Sequence, residues 1–222
     1  MRFLYILILT LLTFTLNAQI PSAGNVLWLR ADAAVYNDAA ATVLAANGET
    51  AAQWNDQSGN TAHAICSPSG SRPTYVTNVL NGKPVLRFTN HFLQTSNIDL
   101  SATDKTDMYV VYKSVAPNNN WEIVAEHGPD FNNFIGFNLL ENTQGLTYNG
   151  MFAGISGGGY NYKDYPFKAN EFKIVNTSFD KAAAANAKVN LRINAKDITL
   201  FDQPSAAGSG NFANYPLYIG NR

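Results

Sequence analysis

The sequence predicts an all-β protein, a two-sheet antiparallel β-sandwich, and three observations carry that expectation. Short runs of β-branched and aromatic residues recur between clusters of Gly, Pro, Asn and Ser, which is the spacing of a sandwich or barrel. Helical periodicity is nearly absent beyond residue 18. Polarity comes from amides and hydroxyls more than from charge: 27 of the 222 residues are Asn and only 14% are charged, against about a quarter in ordinary soluble proteins. The formal net charge of −1, with no basic run, argues against a nucleic acid or an anionic membrane as partner. A single cysteine, Cys66, excludes a disulfide scaffold and reads as a small buried apolar residue.

The elements follow in order. Arg2, the apolar run Phe3–Leu16 and Leu16-Asn17-Ala18 predict a secretory signal peptide over residues 1–18. The run is shorter than the roughly 20 residues that span a bilayer, and no later segment is apolar enough to do so. Residues 19–222 read as one domain, since no repeat or linker divides them. Val26–Arg30 is apolar on both faces and is expected inside the sandwich. Further strands are expected at Pro73–Thr77, Val85–Phe88, Met108–Lys113, Glu122–His127 and Phe134–Leu140. The last are expected at Phe172–Phe179, Val189–Asn194, Ile198–Phe201 and Leu217–Gly220. Val189, Leu191 and Ile193 alternate with Asn190, Arg192 and Asn194, and Asn194-Ala195-Lys196 reads as a hairpin turn. The Ala-rich stretches Asp38–Ala46 and Lys181–Ala187 offer a turn or two of helix, the second better read as the long turn of a hairpin. Trp28, Trp54, Phe88, Val110, Phe137, Leu191 and Ile193 are the expected core.

Gly24-Asn25-Val26-Leu27-Trp28-Leu29-Arg30-Ala31-Asp32-Ala33, followed by Gln53-Trp54-Asn55-Asp56-Gln57-Ser58-Gly59-Asn60, resembles the opening of laminin-G-like, concanavalin A-like domains of exported Bacteroidota proteins. Pro84–Phe88, Tyr109–Lys113, Leu191–Ala195 and Tyr218–Asn221 extend the likeness along the chain. The resemblance implies a jelly roll that is secreted or displayed on the cell surface and binds without chemistry of its own. Members of the family continue past the last of these strands, so it also implies that the domain is truncated at its C-terminus, with an open edge beside Val26–Arg30. Thr89-Asn90 stands where the family has an acidic turn, which weakens a calcium site there.

The functional candidates are few. Trp54–Asn60 gathers side-chain oxygens but lacks the ladder of a calcium loop, and Asp56 is expected to cap its own turn. Glu122 and Glu126 fall on one face of a regular strand, as a glycosidase carboxylate pair requires, but Val124 stands where laminarinase-type enzymes carry an Asp. The bland reading puts them on a solvated or edge face. His63, His91 and His127 are scattered, so neither catalytic nor metal residues are assigned, and no cofactor is expected. Ser156–Phe167 reads as a Gly-rich loop carrying Tyr160, Asn161, Tyr162, Asp164 and Tyr165, either flat rings beside amide and carboxylate groups as sugar sites use or rings that cover the sandwich edge beneath a long loop; Trp121 joins them as a candidate. The reading is a non-catalytic carbohydrate- or protein-binding adhesion module. A polysaccharide lyase or glycoside hydrolase on the same fold, and a structural spacer in a longer adhesin, stay open as alternatives.

Overall fold

The computed structural model describes residues 23–115, 122–129, 136–141, 150–156, 160–166, 170–198, 202–203 and 209–220, the strands at 150–156, 160–166 and 202–203 by their backbone. The expected signal peptide lies outside them. Among the described residues no helix is long and apolar enough to cross a membrane.

The protein is a two-sheet antiparallel β-sandwich. The chain opens with three short strands, β1 (Val35–Tyr36), β2 (Gln53–Trp54) and β3 (Ala64–Ile65), then a ribbon of β4 (Thr74–Leu80) and β5 (Lys83–Arg87). It continues with β6 (Leu93–Asp99), β7 (Lys105–Tyr112), β8 (Glu122–His127), β9 (Phe137–Glu141), β10 (Gly150–Ser156) and β11 (Tyr160–Pro166). The last strands are β12 (Lys173–Asp180), β13 (Val189–Ile193), β14 (Lys196–Asp197), β15 (Asp202–Gln203) and β16 (Asn214–Ile219). The large sheet runs β1-β2-β3-β6-β16-β8-β9-β10-β11-β15 and the small sheet β14-β13-β12-β7.

Period-two patterning puts the core between the sheets. Val189, Leu191 and Ile193 are buried on β13 while Asn190 and Arg192 are exposed, as the sequence predicts. They meet Val175 and Phe179 of β12 and, from the large sheet, Ile98, Phe137, Leu139 and Leu217. The rings of Phe137 and Phe179 stack across the interface with centroids 5.0 Å apart. A smaller cluster of Ala64, Cys66 and Leu93 is covered by Trp54, Leu86 and Phe88. Gly220 closes that side: its φ is +82°, and a Cβ there would lie 2.2 Å from Cδ1 of Phe88.

Several expectations need correction. Val26–Arg30 is no strand: only Leu29 bridges, to Asp56, and Val26 is exposed. The segment is pinned by a side chain instead of a ladder, the Trp28 N–H donating to Asp56 Oδ1 at 2.9 Å. Trp28, Trp54, Phe88 and Val110 are half-buried, whereas Phe137, Leu191 and Ile193 are core as expected. Asp38–Ala46 holds no helix; Asp38 Oδ1 instead accepts from the N–H of Thr42 at 2.9 Å and of Val43 at 3.2 Å, a local bonding pattern that competes with helix. Residues 181–188 join β12 to β13 as the expected hairpin connection, with a 3₁₀ turn at Ala185–Ala187. Asn194 and Ala195 form the two-residue turn of the next hairpin, both with positive φ, 50° and 65°. β6 is not among the strands the sequence predicts, yet it lies inside the large sheet with Leu93, Thr95 and Ile98 buried.

Candidate functional site

Tyr160, Asn161, Tyr162, Asp164 and Tyr165 lie on a strand, where the sequence suggests a loop. β11 pairs with β10 from Ser156↔Tyr160 to Gly150↔Pro166, and tyrosine suits a paired strand well. Gly157–Gly159 and Trp121 lie outside the described residues. Alternate strand positions belong to opposite faces, so these candidates split into two sets. Tyr160, Tyr162 and Asp164 share one parity; Asn161 and Tyr165 share the other.

Register shows what each set lies beside. In an antiparallel ladder directly opposed residues share a face. Tyr162 is opposed to Gly154, Gly154 to Asn138, Asn138 to Glu126, and Glu126 to Tyr218. Gln94 continues the row beyond Tyr218. The odd-numbered β9 residues Phe137 and Leu139 fill the core, so Asn138 and its row partners face away from it. Even so, Glu126, Asn138 and Tyr218 are only 1%, 2% and 6% exposed. Asn138 Oδ1 is buried without a hydrogen-bond partner among the described residues. Gly154 leaves a position without a side chain between Asn138 and Tyr162, two strand spacings or about 9–10 Å across. The candidate site is therefore a register row of carboxylate, amide and phenol positions on the outer face of the large sheet, shielded at Glu126, Asn138 and Tyr218 and interrupted by the glycine position.

Asn161 and Tyr165 sit in rows of the other face. Tyr165 is opposed to Met151, Met151 to Glu141, and Glu141 to Glu122. Glu141 reaches the small sheet and pairs with Lys173, whose ammonium also lies 5.1 Å from the centroid of the Tyr112 ring. Burial pushes the Glu141 carboxyl above its ordinary range, more than Lys173 pulls it down. Burial, and then the neighbouring Glu141 carboxylate, push the Tyr112 phenol well above its usual value.

The carboxylates expected on one face are separated by a β-bulge. Ile123 opposes Leu140 and Ala125 opposes Leu139, so Val124 is an extra residue on β8. Both Val124 and Ala125 pack against the core, and the alternation slips by one across them. Glu122 consequently lies in the core-side row and Glu126 in the outer row. They do not flank a common substrate position. Nor is β8 an edge: it lies between β16 and β9, with Glu126 buried, which corrects the solvated-face reading as well.

The Trp54–Asn60 loop is built around Asp56. Its Oδ1 accepts from Ser58 N–H at 2.8 Å as well as from Trp28, and Oδ2 accepts from the Ser58 hydroxyl at 2.7 Å and Ala62 N–H at 3.2 Å. Burial works against its charge, but these hydrogen bonds outweigh it and hold the carboxyl below its ordinary value. The structural role expected of Asp56 is thus in place. His63 Nδ1 accepts from Asp56 N–H at 3.1 Å, and His127 is a core residue. Among the described residues no group of three or more His, Cys, Asp or Glu is placed to hold a metal ion. Comparison with protein-family models, curated proteins and solved structures gives no match.

Proposed function

We propose that this chain is an exported, non-catalytic binding module whose ligand is a glycan, held on the outer face of the large sheet. The observation that carries the reading is the register row Tyr218, Glu126, Asn138, Gly154, Tyr162. Amide, carboxylate and phenol groups are what sugar hydroxyls pair with, and such bonds gain strength in a shielded setting. The Asn138 carbonyl oxygen is an acceptor without a partner among the described residues, and a ligand hydroxyl would satisfy it once the chain that covers this row is displaced. Separation of Glu122 from Glu126 by the bulge supports binding over hydrolysis. The resemblance to laminin-G-like exported domains supports secretion or surface display.

A glycan array on the purified protein tests the reading, with reducing-end and unsaturated-product release assayed in parallel. Retention of a defined glycan class, lost in Asn138→Ala and unaccompanied by product, is the expected result. Product release would replace this reading with a hydrolase or lyase. Capture of proteins alone would make the module an adhesin for protein surfaces, and neither result would leave the spacer.

A further inference from the structure

β7 ends the small sheet. Its one strand neighbour is β12, and its other edge meets no strand among the described residues. Met108, Val110 and Tyr112 pack against the core and are mostly but not fully buried, the Tyr112 hydroxyl completely so, while Val175 and Thr177 beside them on β12 are sealed. On the outer face Tyr109 is 72% and Val111 57% exposed, with exposed Ile174 directly opposite Val111. Edges left free in solution are usually short, bulged, or guarded by Lys or Pro. This one runs eight residues with unbroken register, and its Lys105 is engaged with Asp180 at 2.9 Å. Such an edge is a template for strand addition.

The residues along the edge indicate which strand fits. If two copies of β7 pair antiparallel about a two-fold axis, the residue on the axis sets every opposed pair. An axis at Tyr109 puts Lys105 against the partner's Lys113 and Asp107 against the partner's Val111. An axis at Met108 puts Asp107 against the partner's Tyr109. An axis at Val110 puts Asp107 against the partner's Lys113 and Tyr109 against the partner's Val111, each twice by symmetry. Opposite charges and an aromatic facing a β-branched residue are the favoured cross-strand pairs. Lys113 is exposed and lies over the outer face, its ammonium 5.2 Å from the centroid of the Phe172 ring.

We propose that β7 is a dimerisation strand: two copies of this chain pair antiparallel about Val110 and merge their small sheets into one. The outer faces of Tyr109, Val111 and Ile174 then form a continuous strip across the join. This proposal is independent of the glycan reading, which concerns the other sheet.

Sedimentation equilibrium on the purified protein tests it, with circular dichroism to confirm that each variant folds. The wild type is expected to dimerise reversibly. Asp107→Lys and Lys113→Asp are each expected to weaken the dimer about tenfold or more, because both symmetry-related pairs become like-charged. The double variant, with its charges exchanged, should return to within about threefold of wild type. That recovery separates register from loss of the hydrogen bond that the Ser178 hydroxyl donates to Asp107, a bond the double variant also lacks. An oxidised mixture of Tyr109→Cys and Val111→Cys variants should form a cross-linked dimer that neither forms alone, Cys66 being buried. A wild type that stays monomeric, a dimer that Asp107→Lys leaves intact, or equal cross-linking by one variant alone would overturn the proposal.

Discussion

His127 shows how a single buried side chain ties the sandwich to pH. It stacks on Phe137 with ring centroids 5.0 Å apart, and its Nε2–H donates to the Ile98 carbonyl at 3.2 Å, which places a proton on Nε2. Burial is the main cause that holds its pKa below the ordinary 6.5. A depressed histidine leaves the unfolded chain binding more protons, so its contribution is present above pH 6.5 and is lost as pH falls through the lower folded value. Urea denaturation at stepped pH should therefore show stability declining from neutrality into the acid range, and His127→Gln should flatten that decline. An unchanged slope in the variant would place the titrating group elsewhere. Asp56 is the residue most fully legible in the sequence, because Asp56-Gln57-Ser58-Gly59 carries the whole signature of a side chain bonding two residues onward. Its further bonds to Trp28 and Ala62 were not legible, since they depend on where distant chain segments lie.

Elements were legible where alternation was strong and unbroken. Val189–Ile193 and the two-residue turn after it follow from pattern alone, and the turn carries a testable strain. Ala195 has a φ of 65°, where a Cβ is unfavourable and Gly is not. Ala195→Gly should raise stability by about 0.5–1 kcal/mol in denaturant unfolding, and a loss of that size would mean that Ala195 adopts another conformation. Strand β6 escaped because Thr, Ser and Asn favour turns until neighbours on both sides satisfy their backbone. The bulge on β8 escaped for a different reason. Glu122, Val124 and Glu126 look like regular alternation, and only the partner strand reveals that one residue is extra. The same limit applies to Tyr160–Tyr165, where residue types suggested a sugar surface but pairing with β10 divides them between two faces.

At the scale of the molecule the two sheets are joined by apolar packing and, among the described residues, by a buried ion pair, Glu141 with Lys173, which spans the interface. A buried pair is costly to break from one side, because the remaining charge loses its partner without regaining water. Lys173→Met should destabilise by about 3–5 kcal/mol, and Glu141→Leu/Lys173→Met should recover most of that loss. A single variant as stable as wild type would show that the pair is open to solvent. The glycan reading rests on a row assembled from five strands, the consecutive β8 to β11 and the distant β16, and the sequence alone singles out only Glu126 and Tyr162 in it as functional candidates. Once a ligand is in hand, calorimetric titration of Tyr162→Phe against Tyr165→Phe tests that row most directly. Both variants remove one hydroxyl from the same strand, but from rows of opposite faces. Tyr162→Phe should weaken binding by about 1–1.5 kcal/mol, roughly tenfold, while Tyr165→Phe leaves it unchanged. Equal effects, or loss confined to Tyr165→Phe, would contradict a binding site on the outer face of the large sheet.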